Sequence, residues 1–516
     1  MRLPRVLPLL LLGLSACASP GAGPTDPEAW REGPLAELLS TPLPADGACG
    51  PLHQKVDTEN PSAQALYDQG MACLATFDWA RAARSFRGAL AQDAALAAAY
   101  AGLGRAYLGL EAPAQALHWA RQGRARLEPS TAPYDGAWVR LAVRQLEAVV
   151  VPRSRRPRAL EKLRQGLDRF LEDFPSDPHA LALRGHAERR ADDWGQGGGE
   201  ASAAWYSAAL EADPEYFPAH HFLAHALENQ GLYGDALHHA RRFAELAPEA
   251  PHAHHMVAHT APRSGLWQEA LEALETADAL HQERFVAGEI PRRADWHYAH
   301  NLRLMAAVAL HQGEPERARG AYRRTFELDI PGHRGGYYCG PWIEFLLWQG
   351  DPGEALEASE SCLERPSLLA KAVAAAYRGE ALAALGRLPE ARRQEKEATE
   401  ALRRVFDSLG PVSTEVTTAA AARRTLAVLR GKLAVLDGDR QAGAAALGAL
   451  VEDLAGGRSF DAWASAQSRL RELRDWARAR EIPRLVHRLD ETLHRLEGSL
   501  SEAEVALLEG GAAACH

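Results

Sequence analysis

The sequence is poor in sulfur and in aromatic side chains. Its 516 residues include 6 cysteines and 4 methionines, and 7% are aromatic. No two cysteines have the C-x-x-C spacing of a thiolate zinc site, and neither a Gly-x-Ser-x-Gly turn nor a Gly-Lys-Ser/Thr phosphate loop occurs. Zinc fingers, serine hydrolases of the nucleophile-elbow type and P-loop nucleotide-binding proteins are therefore excluded.

A charged and then apolar segment opens the chain. Arg2 and Arg5 precede the apolar residues 6–14, and small residues follow. This order is typical of a secretory signal peptide, and the apolar run is too short to span a bilayer. We therefore expect a signal peptide over residues 1–16.

The end of this segment resembles the bacterial lipobox, because Leu14-Ser15-Ala16-Cys17 has the residue types at which lipoprotein signals are cleaved. The resemblance implies that a lipid on Cys17 attaches the protein to a membrane. Ala18 after the cysteine implies retention in the outer membrane. The expected location is thus the bacterial cell envelope, with the folded part facing the periplasm.

Positive charge is not concentrated in the rest of the chain. The formal charge is −10, and it becomes −12 without the two arginines of the signal segment. Nucleic-acid-binding surfaces need clustered Lys and Arg. No nucleic-acid partner is therefore expected.

Small and large residues recur with a period of 34. Gly70 and Gly104 are one period apart, and so are Ala82 and Ala116. This period and residue pattern resemble the tetratricopeptide repeat (TPR), a helix–turn–helix unit in which small residues let neighbouring helices approach closely. No strand pattern is evident. The expected fold class is all-α, a TPR-like solenoid or superhelix, and the TPR pattern extends from about residue 62 to 443.

Composition and turn residues divide the chain into segments. After the signal peptide we expect a Pro/Gly-rich tether at 17–61, an N-terminal TPR pair at 62–130, irregular helical hairpins at 131–212, histidine-rich TPR units at 213–330, C-terminal TPR units at 331–455, capping helices at 456–509 and a disordered tail at 510–516. Disulfide bonds are allowed in an exported chain. The pairs Cys49–Cys73 and Cys339–Cys362 are both possible.

Two histidine pairs lie one repeat apart in the histidine-rich units. His221 and His225 are followed 34 residues later by His255 and His259. Residues four apart project from the same face of a helix. Stacking of the two units would therefore bring the four imidazoles together.

The TPR resemblance also implies which positions face the concave groove, namely the second, fifth, ninth and twelfth of a unit. The four paired histidines occupy fifth and ninth positions, His252 a second and Glu228 a twelfth. His300 is a second position of a unit starting near Ala299. His297 lies just before that helix and reaches the groove only if the entry turn bends inward.

Four other histidines receive structural interpretations. His220 and His254 are fourth positions, which pack between helices in TPR units. His238 and His239 lie on the second helix of their unit and are expected to face outward. We leave these four out of the candidate site.

The remaining set favours a transition-metal site. Neutral imidazoles with a carboxylate suit Zn²⁺, Cu²⁺ or Ni²⁺. Pro262 should distort the helix that carries His255 and His259. The expected ligands are His221, His225, His255, His259 and His300, with Glu228, His252, His297 and Asn301 as surrounding orienting or peripheral groups.

Other interpretations of the histidines stay open. They could hydrogen-bond an envelope protein or peptide in the groove, or they could be copied with the repeat and form no site. The spacing in HFLAH and HMVAH is that of zinc proteases, yet the glutamate that acts as general base is missing. A metal-dependent enzyme of unknown substrate is a further alternative, and enzymatic activity is not the first expectation.

Several stretches resemble a group of large bacterial TPR proteins with histidine-rich helices. That group commonly reads Phe-Asn-His where this chain has Phe77-Asp78-Trp79, which implies that a site involving the first unit lacks one histidine here. The resemblance implies fold and site location, and no reaction. The matching stretches are CGPLH (49–53), AQALYDQG (63–70), FDWARAARSF (77–86), HHFLAH (220–225), HHMVAH (254–259) and WHYAHN (296–301).

These observations predict a lipid-anchored TPR binding or scaffold protein of the cell envelope. Its histidine-lined groove would bind a transition metal or a metal-bearing partner. The alternative is an adaptor for envelope assembly that binds protein or peptide without a metal.

Overall fold

The computed structural model describes residues 34–151, 153–188, 199–328, 333–364, 367–408, 413–455 and 460–497. Within these ranges the regular elements are helices, and no strand occurs. The predicted signal peptide, Cys17 and the predicted tail at 510–516 lie outside the described residues. None of the described helices combines the length and the apolar character needed to cross a membrane.

Thirteen of the described helices lie within residues 34–286. They are α1 Pro34–Ser40, α2 Pro61–Ala75, α3 Trp79–Gln92, α4 Ala97–Gly109, α5 Pro113–Ala125, α6 Pro133–Val150, α7 Arg156–Asp173, α8 Pro178–Ala187, α9 Glu200–Ala212, α10 Phe217–Gln230, α11 Tyr233–Leu246, α12 Pro251–Thr260 and α13 Trp267–Val286.

Ten more helices follow. They are α14 Trp296–His311, α15 Pro315–Glu327, α16 His333–Gln349, α17 Pro352–Leu363, α18 Leu368–Ala384, α19 Leu388–Ser408, α20 Ser413–Leu436, α21 Arg440–Ala455, α22 Phe460–Ala479 and α23 Pro483–Glu497. Short 3-10 turns occur at Arg153–Arg155, Ala261–Ser264 and Arg292–Ala294.

The helices are arranged as stacked hairpins. Helix α12 begins 34 residues after α10, and α13 begins 34 residues after α11. Helices α10, α11, α12 and α13 each contact the next along the chain, and α10 also contacts α12. The all-α, TPR-like repeat architecture expected from the period is confirmed.

Small residues permit close approach of the helices where the period places them. A Cβ atom added to Gly104 would lie 2.8 Å from the carbonyl oxygen of Ala116, and one added to Gly70 would lie 2.6 Å from the ring of Phe86. Contacts shorter than 3 Å cannot be accommodated in a close-packed interior. These glycines are therefore required by the packing of α2 to α5.

Both possible disulfide bonds are present, Cys49–Cys73 and Cys339–Cys362. The first ties the segment before α2 to that helix. The backbone amide of Asp46 also donates to Gln69 Oε1 at 2.7 Å. Residues 41–60, which the sequence assigns to the tether, thus pack against the first helical hairpin, and the packed part of the chain begins before residue 62.

Two distant parts of the chain cover the histidine-rich repeats. The turn between α2 and α3 lies against α10 and α13, where Asp78 pairs with Arg284, and Arg84 Nη1 donates to the carbonyl oxygen of Glu289 at 3.1 Å. Helix α22, one of the expected capping helices, contacts α12, α14 and α16 as well as its neighbours α21 and α23. The histidine-bearing faces of α10, α12 and α14 therefore lie in the interior of the fold.

Candidate metal centre

A cluster of buried histidines lies where α10, α12 and α14 meet. We call it the histidine cluster. Each member has 4% or less of its surface exposed. The 34-residue repeat places the pairs of α10 and α12 side by side, with 5.5 Å between the ring centroids of His225 and His259. The members are His221, His225, His252, His255, His259, His297, His300 and Glu228.

The side chains predicted to line the concave groove are buried, because the α2–α3 turn covers them. Phe77 adopts a left-handed backbone conformation with φ of 59°. Its ring lies 4.9 Å from that of His221 and 4.6 Å from that of His252. The covering segment is more than 140 residues earlier in the sequence, so local repeat patterns could not reveal it.

The first group in the cluster consists of His255, His259 and His300. The Nε2 atoms of His255 and His259 are 3.1 Å apart, and the ring of His300 lies 4.8 Å from that of His255. Pro262 has the expected effect, since the helix gives way to a 3-10 turn after Thr260. The pair of α12 therefore sits at the end of its helix, next to α14.

Asn301 sets the protonation of His255. Its Nδ2 donates to the carbonyl oxygen of Leu274 at 2.9 Å, so its Oδ1 is the atom that faces His255 Nδ1 at 3.1 Å. An amide oxygen only accepts, and His255 must therefore carry its proton on Nδ1. The lone pair of His255 is then on Nε2, which points towards His259.

Glu228 orients the other ring of this pair. Its carboxylate oxygens lie 3.7 Å from Nδ1 of His225 and 3.7 Å from Nδ1 of His259. Burial would raise the pKa of Glu228, but the interactions with these two histidines outweigh burial and lower the pKa to about 2. An ionised carboxylate only accepts, which favours a proton on Nδ1 and a lone pair on Nε2 of both rings.

The second group consists of His221, His225 and His252. His221 Nδ1 donates to the carbonyl oxygen of Ala75 at 2.9 Å, which leaves the lone pair of His221 on Nε2. That nitrogen lies 2.8 Å from Nε2 of His252. The ring centroid of His225 is 5.2 Å from that of His221.

A chain of side chains leads from this group to a second carboxylate. His252 Nδ1 contacts His297 Nε2 at 2.5 Å, and His297 Nδ1 contacts His281 Nε2 at 3.4 Å. His281 Nδ1 in turn lies 2.8 Å from Asp295 Oδ2. Because a carboxylate only accepts, the consistent assignment puts the proton of each of the three rings on Nδ1. Nε2 of His252 then carries no proton, and its lone pair faces His221.

The electrostatics of the cluster favour neutral imidazoles and ionised carboxylates. Burial, and then the neighbouring imidazoles, lower the pKa of His252, His255 and His297 well below the usual value. Burial would raise the pKa of Asp295, but His281 outweighs it and lowers that pKa. Neutral imidazole is the form that binds a metal ion.

Four groups of three side chains in the described residues bring one donor atom each within 4.8 Å of the others. Three contain histidines alone, and one contains a carboxylate. They are His221–His225–His252, His252–His255–His297, His255–His259–His300 and His225–Glu228–His259. All five predicted ligands and Glu228, His252 and His297 are thus brought together, while Asn301 contacts His255 from outside the groups.

The start of α14 differs from its predicted position. Helix α14 begins at Trp296, three residues before the predicted unit start at Ala299, so His297 lies within its first turn. The reason is Asp295, whose carboxylate accepts from the backbone amides of His297 and Tyr298 and caps the helix. His252, which the sequence places among the surrounding groups, belongs to two of the four groups of the described residues.

His281 and Asp295 were missed by sequence reasoning. Asp295 stands directly before the apolar-periodic run of α14, which is a recognisable N-cap signal. His281 gave no such signal, because it lies on α13, on the second helix of a repeat. Its inward orientation depends on the long α13 and on the turn that follows.

The four histidines left out of the site lie elsewhere. His220 contacts His239, with Nδ1 atoms 2.8 Å apart, and His254 Nε2 lies 2.7 Å from the carbonyl oxygen of Pro248. His238 is exposed, as predicted, and His239 is half-buried and contacts His220. None of these four belongs to the metal-type groups of the described residues.

Trp79 stands where the Phe-Asn-His pattern of the TPR group that this chain resembles implies a histidine. Its ring stacks on Trp296 at 5.3 Å, and Trp296 lies 5.8 Å from the ring of His300. The substituted position therefore lies near the edge of the cluster. An indole has no lone-pair nitrogen to offer a metal, so Trp79 closes this edge by packing.

Comparisons with known proteins concern the fold. No protein-family model matches the chain, and no curated protein matches it. A MamA double mutant is 15% identical with a TM-score of 0.29, covering 37% of this chain and 94% of its own. YrrB, described as a TPR protein with an unusual peptide-binding site, is 18% identical with a TM-score of 0.27, covering 39% and 93%.

A TPR protein from Parabacteroides merdae is 13% identical with a TM-score of 0.34, and the match covers 53% of this chain and 96% of that protein. These likenesses are too weak to carry function. The TPR-type fold rests on the chain's own 34-residue repeat of paired helices.

Proposed function

We propose that this protein is a TPR-type binding protein of the bacterial cell envelope whose histidine cluster holds a transition-metal ion. The ion would be Zn²⁺, Cu²⁺ or Ni²⁺, bound by His255, His259 and His300, which we call the His300 site. The single observation that carries the proposal is the approach of Nε2 of His255 to Nε2 of His259, 3.1 Å apart, where the contacts of the outer nitrogens favour a lone pair on each.

Two acceptor nitrogens in contact repel each other unless a cation lies between or beside them. Nitrogen ligands of a tetrahedral Zn²⁺ ion, at about 2.0 Å from the metal, are about 3.3 Å from each other. The separation of His255 and His259 is close to that value. Asn301 contacts the outer nitrogen of His255 at 3.1 Å, and the Glu228 carboxylate lies 3.7 Å from the outer nitrogen of His259. Polar groups behind the ligand rings are the usual support for histidine ligands in metal sites.

Burial distinguishes this proposal from peptide recognition by the same histidines. His255 and His259 have none of their surface exposed, and a peptide cannot reach them while the α2–α3 turn and α22 are in place. A metal ion, in contrast, needs only a channel to the histidines that is wide enough for a single ion. A protein or peptide partner would have to bind the outer surfaces of the helical array.

Metal counting tests the proposal. The full chain, purified in detergent and stripped with a chelator, is supplied with Zn²⁺, Cu²⁺ or Ni²⁺ at micromolar concentration, desalted and measured by inductively coupled plasma mass spectrometry. Wild type should retain metal. The double variant His255→Asn with His259→Asn should retain at least one ion fewer per chain.

A matched control is the double variant His238→Asn with His254→Asn, which removes two histidines of the same two repeats from outside the cluster. It should retain as much metal as wild type. Circular dichroism of the stripped proteins checks folding, and His300→Gln serves if the double variant does not fold. Wild-type protein that retains no metal overturns the proposal, and unchanged retention in the His255/His259 variant overturns the site.

The envelope location within the proposal is supported by the lipobox-like residues alone. Cys17→Ser should move the protein from the membrane fraction to the soluble periplasmic fraction, as followed by fractionation and immunoblotting. Ala18→Ser leaves the cysteine in place and should remain in the membrane fraction. An unchanged distribution of the Cys17→Ser variant would contradict lipid attachment at this residue.

A further inference from the structure

We propose that the histidine cluster holds a second metal ion, bound by His221, His225 and His252. This inference rests on the proposed function, because it places another ion beside the His300 site. We call the second group the His221 site. It is separate from the first in its ligands, and it lies closer to the covering α2–α3 turn.

The four metal-type groups of the described residues overlap in a closed order. Each shares one histidine with the group before it and one with the group after it; the shared residues are His252, His255, His259 and His225. At most two of these groups can therefore be filled without sharing a ligand. Two pairings satisfy this condition.

One pairing joins the His221 site with the His300 site. The other joins His252–His255–His297 with His225–Glu228–His259. The protonation of the rings decides between them. A nitrogen that bears a proton cannot bind the metal, so each ligand must direct a lone pair towards its own site.

The outer contacts favour the first pairing. The Nδ1–H group of His221 donates a hydrogen bond to the carbonyl oxygen of Ala75, and the Nδ1–H group of His252 donates one to Nε2 of His297. Their Nε2 lone pairs then face each other at 2.8 Å. His225 has its Nδ1 3.7 Å from the Glu228 carboxylate, which favours a proton on Nδ1 and a lone pair on Nε2.

His297 is a positioning residue in this arrangement. Its Nε2 accepts a hydrogen bond from His252, and its Nδ1 contacts His281 Nε2. His281 Nδ1 in turn contacts the carboxylate of Asp295. In the other pairing His297 would have to direct a lone pair at a metal and would lose one of these contacts. The continuous chain to Asp295 therefore assigns His297 to the support of His252.

The carboxylates of Glu228 and Asp295 lie behind ligands of the two sites. Glu228 lies 3.7 Å from His225 of the His221 site and 3.7 Å from His259 of the His300 site. Asp295 reaches the His221 site through His281 and His297. Each buried ion thus has an anion behind at least one ligand, which offsets part of the cost of burying a divalent cation.

Native mass spectrometry of the full chain, loaded with Zn²⁺, tests the count directly. Wild type should carry two ions. His221→Asn should carry one, His300→Asn should carry one, and the two substitutions together should carry none. His254→Asn, on α12 outside the cluster, should still carry two.

His297→Gln distinguishes the two pairings. A positioning role predicts two ions, with affinity for one of them reduced about 10- to 100-fold in chelator competition, and partial rescue relative to His297→Ala because glutamine retains a hydrogen-bonding side chain. A ligand role predicts one ion at saturating Zn²⁺, together with two ions in His221→Asn. That result would overturn the assignment.

One ion in wild type, lost on substitution of His300 and retained on substitution of His221, would overturn the second site while leaving the proposed function intact. No ion in wild type would overturn both. Stripped variants that melt at the temperature of stripped wild type confirm that a lost ion reflects a lost ligand. If His221→Asn does not fold, His252→Asn removes another ligand of the same site.

Discussion

His221 donates a hydrogen bond to the carbonyl oxygen of Ala75 at 2.9 Å, across 146 residues of sequence. The acceptor lies at the end of α2, and Cys73 of the Cys49–Cys73 disulfide is two residues before it. The first helical hairpin therefore both covers the histidine cluster and fixes the proton of one of its rings. We therefore expect any change that destabilises this hairpin to lower the metal affinity of the His221 site before that of the His300 site.

Removal of the first disulfide tests this connection. Cys49→Ser with Cys73→Ser opens a loop with a sequence separation of 24, which should lower the free energy of unfolding by about 3 kcal/mol. Because α2 then holds Ala75 less firmly, affinity for the ion of the His221 site should fall by about 10-fold or more. Urea denaturation and native mass spectrometry in chelator-buffered Zn²⁺ measure the two effects.

The second disulfide provides a matched control. Cys339 and Cys362 join α16 to α17 with a sequence separation of 23, so their replacement by serine should cost similar stability. Neither helix carries a member of the histidine cluster. Equal loss of Zn²⁺ in the two serine variants would show that the effect on metal is merely a consequence of lower stability.

Glu228→Gln should weaken both proposed ions. The carboxylate lies 3.7 Å from a ring of each site, and glutamine keeps its size while removing its charge. Loss of such a support typically lowers affinity about 10- to 100-fold, as measured by competition with a chelator. Glu245→Gln, an exposed change on α11, should have no effect. Complete loss of one ion with the other unchanged would instead mean that Glu228 is a ligand.

The repeat period is the part of the site that sequence predicts well. Helical spacing places His221 and His225 on one face of α10, and the 34-residue repeat places His255 and His259 beside them on α12. Both relationships are local or nearest-neighbour, and such contacts are what a repeat sequence encodes. The all-α hairpin array follows from the same pattern.

The burial of the site could not be predicted from these patterns. It depends on the α2–α3 turn and on α22, which are far from α12 in sequence and reach it only through the overall curvature of the array. Phe77 in particular has a left-handed backbone that its residue type disfavours. His281 faces inward for the same kind of reason, since its orientation is set by tertiary packing.

Asp135 should make stability depend on pH. It is 5% exposed, and burial, partly offset by the hydrogen bond from the Asp57 amide, raises its pKa from 3.8 to about 6. A raised carboxyl pKa means that the folded state prefers the protonated form, so stability falls as pH rises from about 4 to about 6. Asp135→Asn should therefore be more stable than wild type at pH 7.5, by roughly 1–2 kcal/mol after allowance for nearby solvent.

The comparison requires urea denaturation of both proteins at several pH values. The difference should shrink as pH falls through about 6 and should approach zero only below about pH 3, where Asp135 is protonated in both the folded and the unfolded state. Glu357→Gln, an exposed change on α17, should give a small difference that does not vary in this way. A constant difference between the Asp135→Asn variant and wild type from pH 4 to pH 7.5 would contradict the raised pKa.

Gly104→Ala should destabilise the array at the position where the repeat period requires a small residue. The added Cβ would lie 2.8 Å from the carbonyl oxygen of Ala116, and backbone cannot rotate away as a side chain can. Overpacking of this kind costs about 1–3 kcal/mol. Gly320→Ala, on the exposed face of α15 with no atom within 4 Å of the new Cβ, should instead stabilise by up to about 1 kcal/mol, because alanine favours helix. The same chemical change should therefore lower the urea midpoint at Gly104 and raise it at Gly320. Equal shifts in the two variants would mean that α4 and α5 do not approach each other this closely in solution.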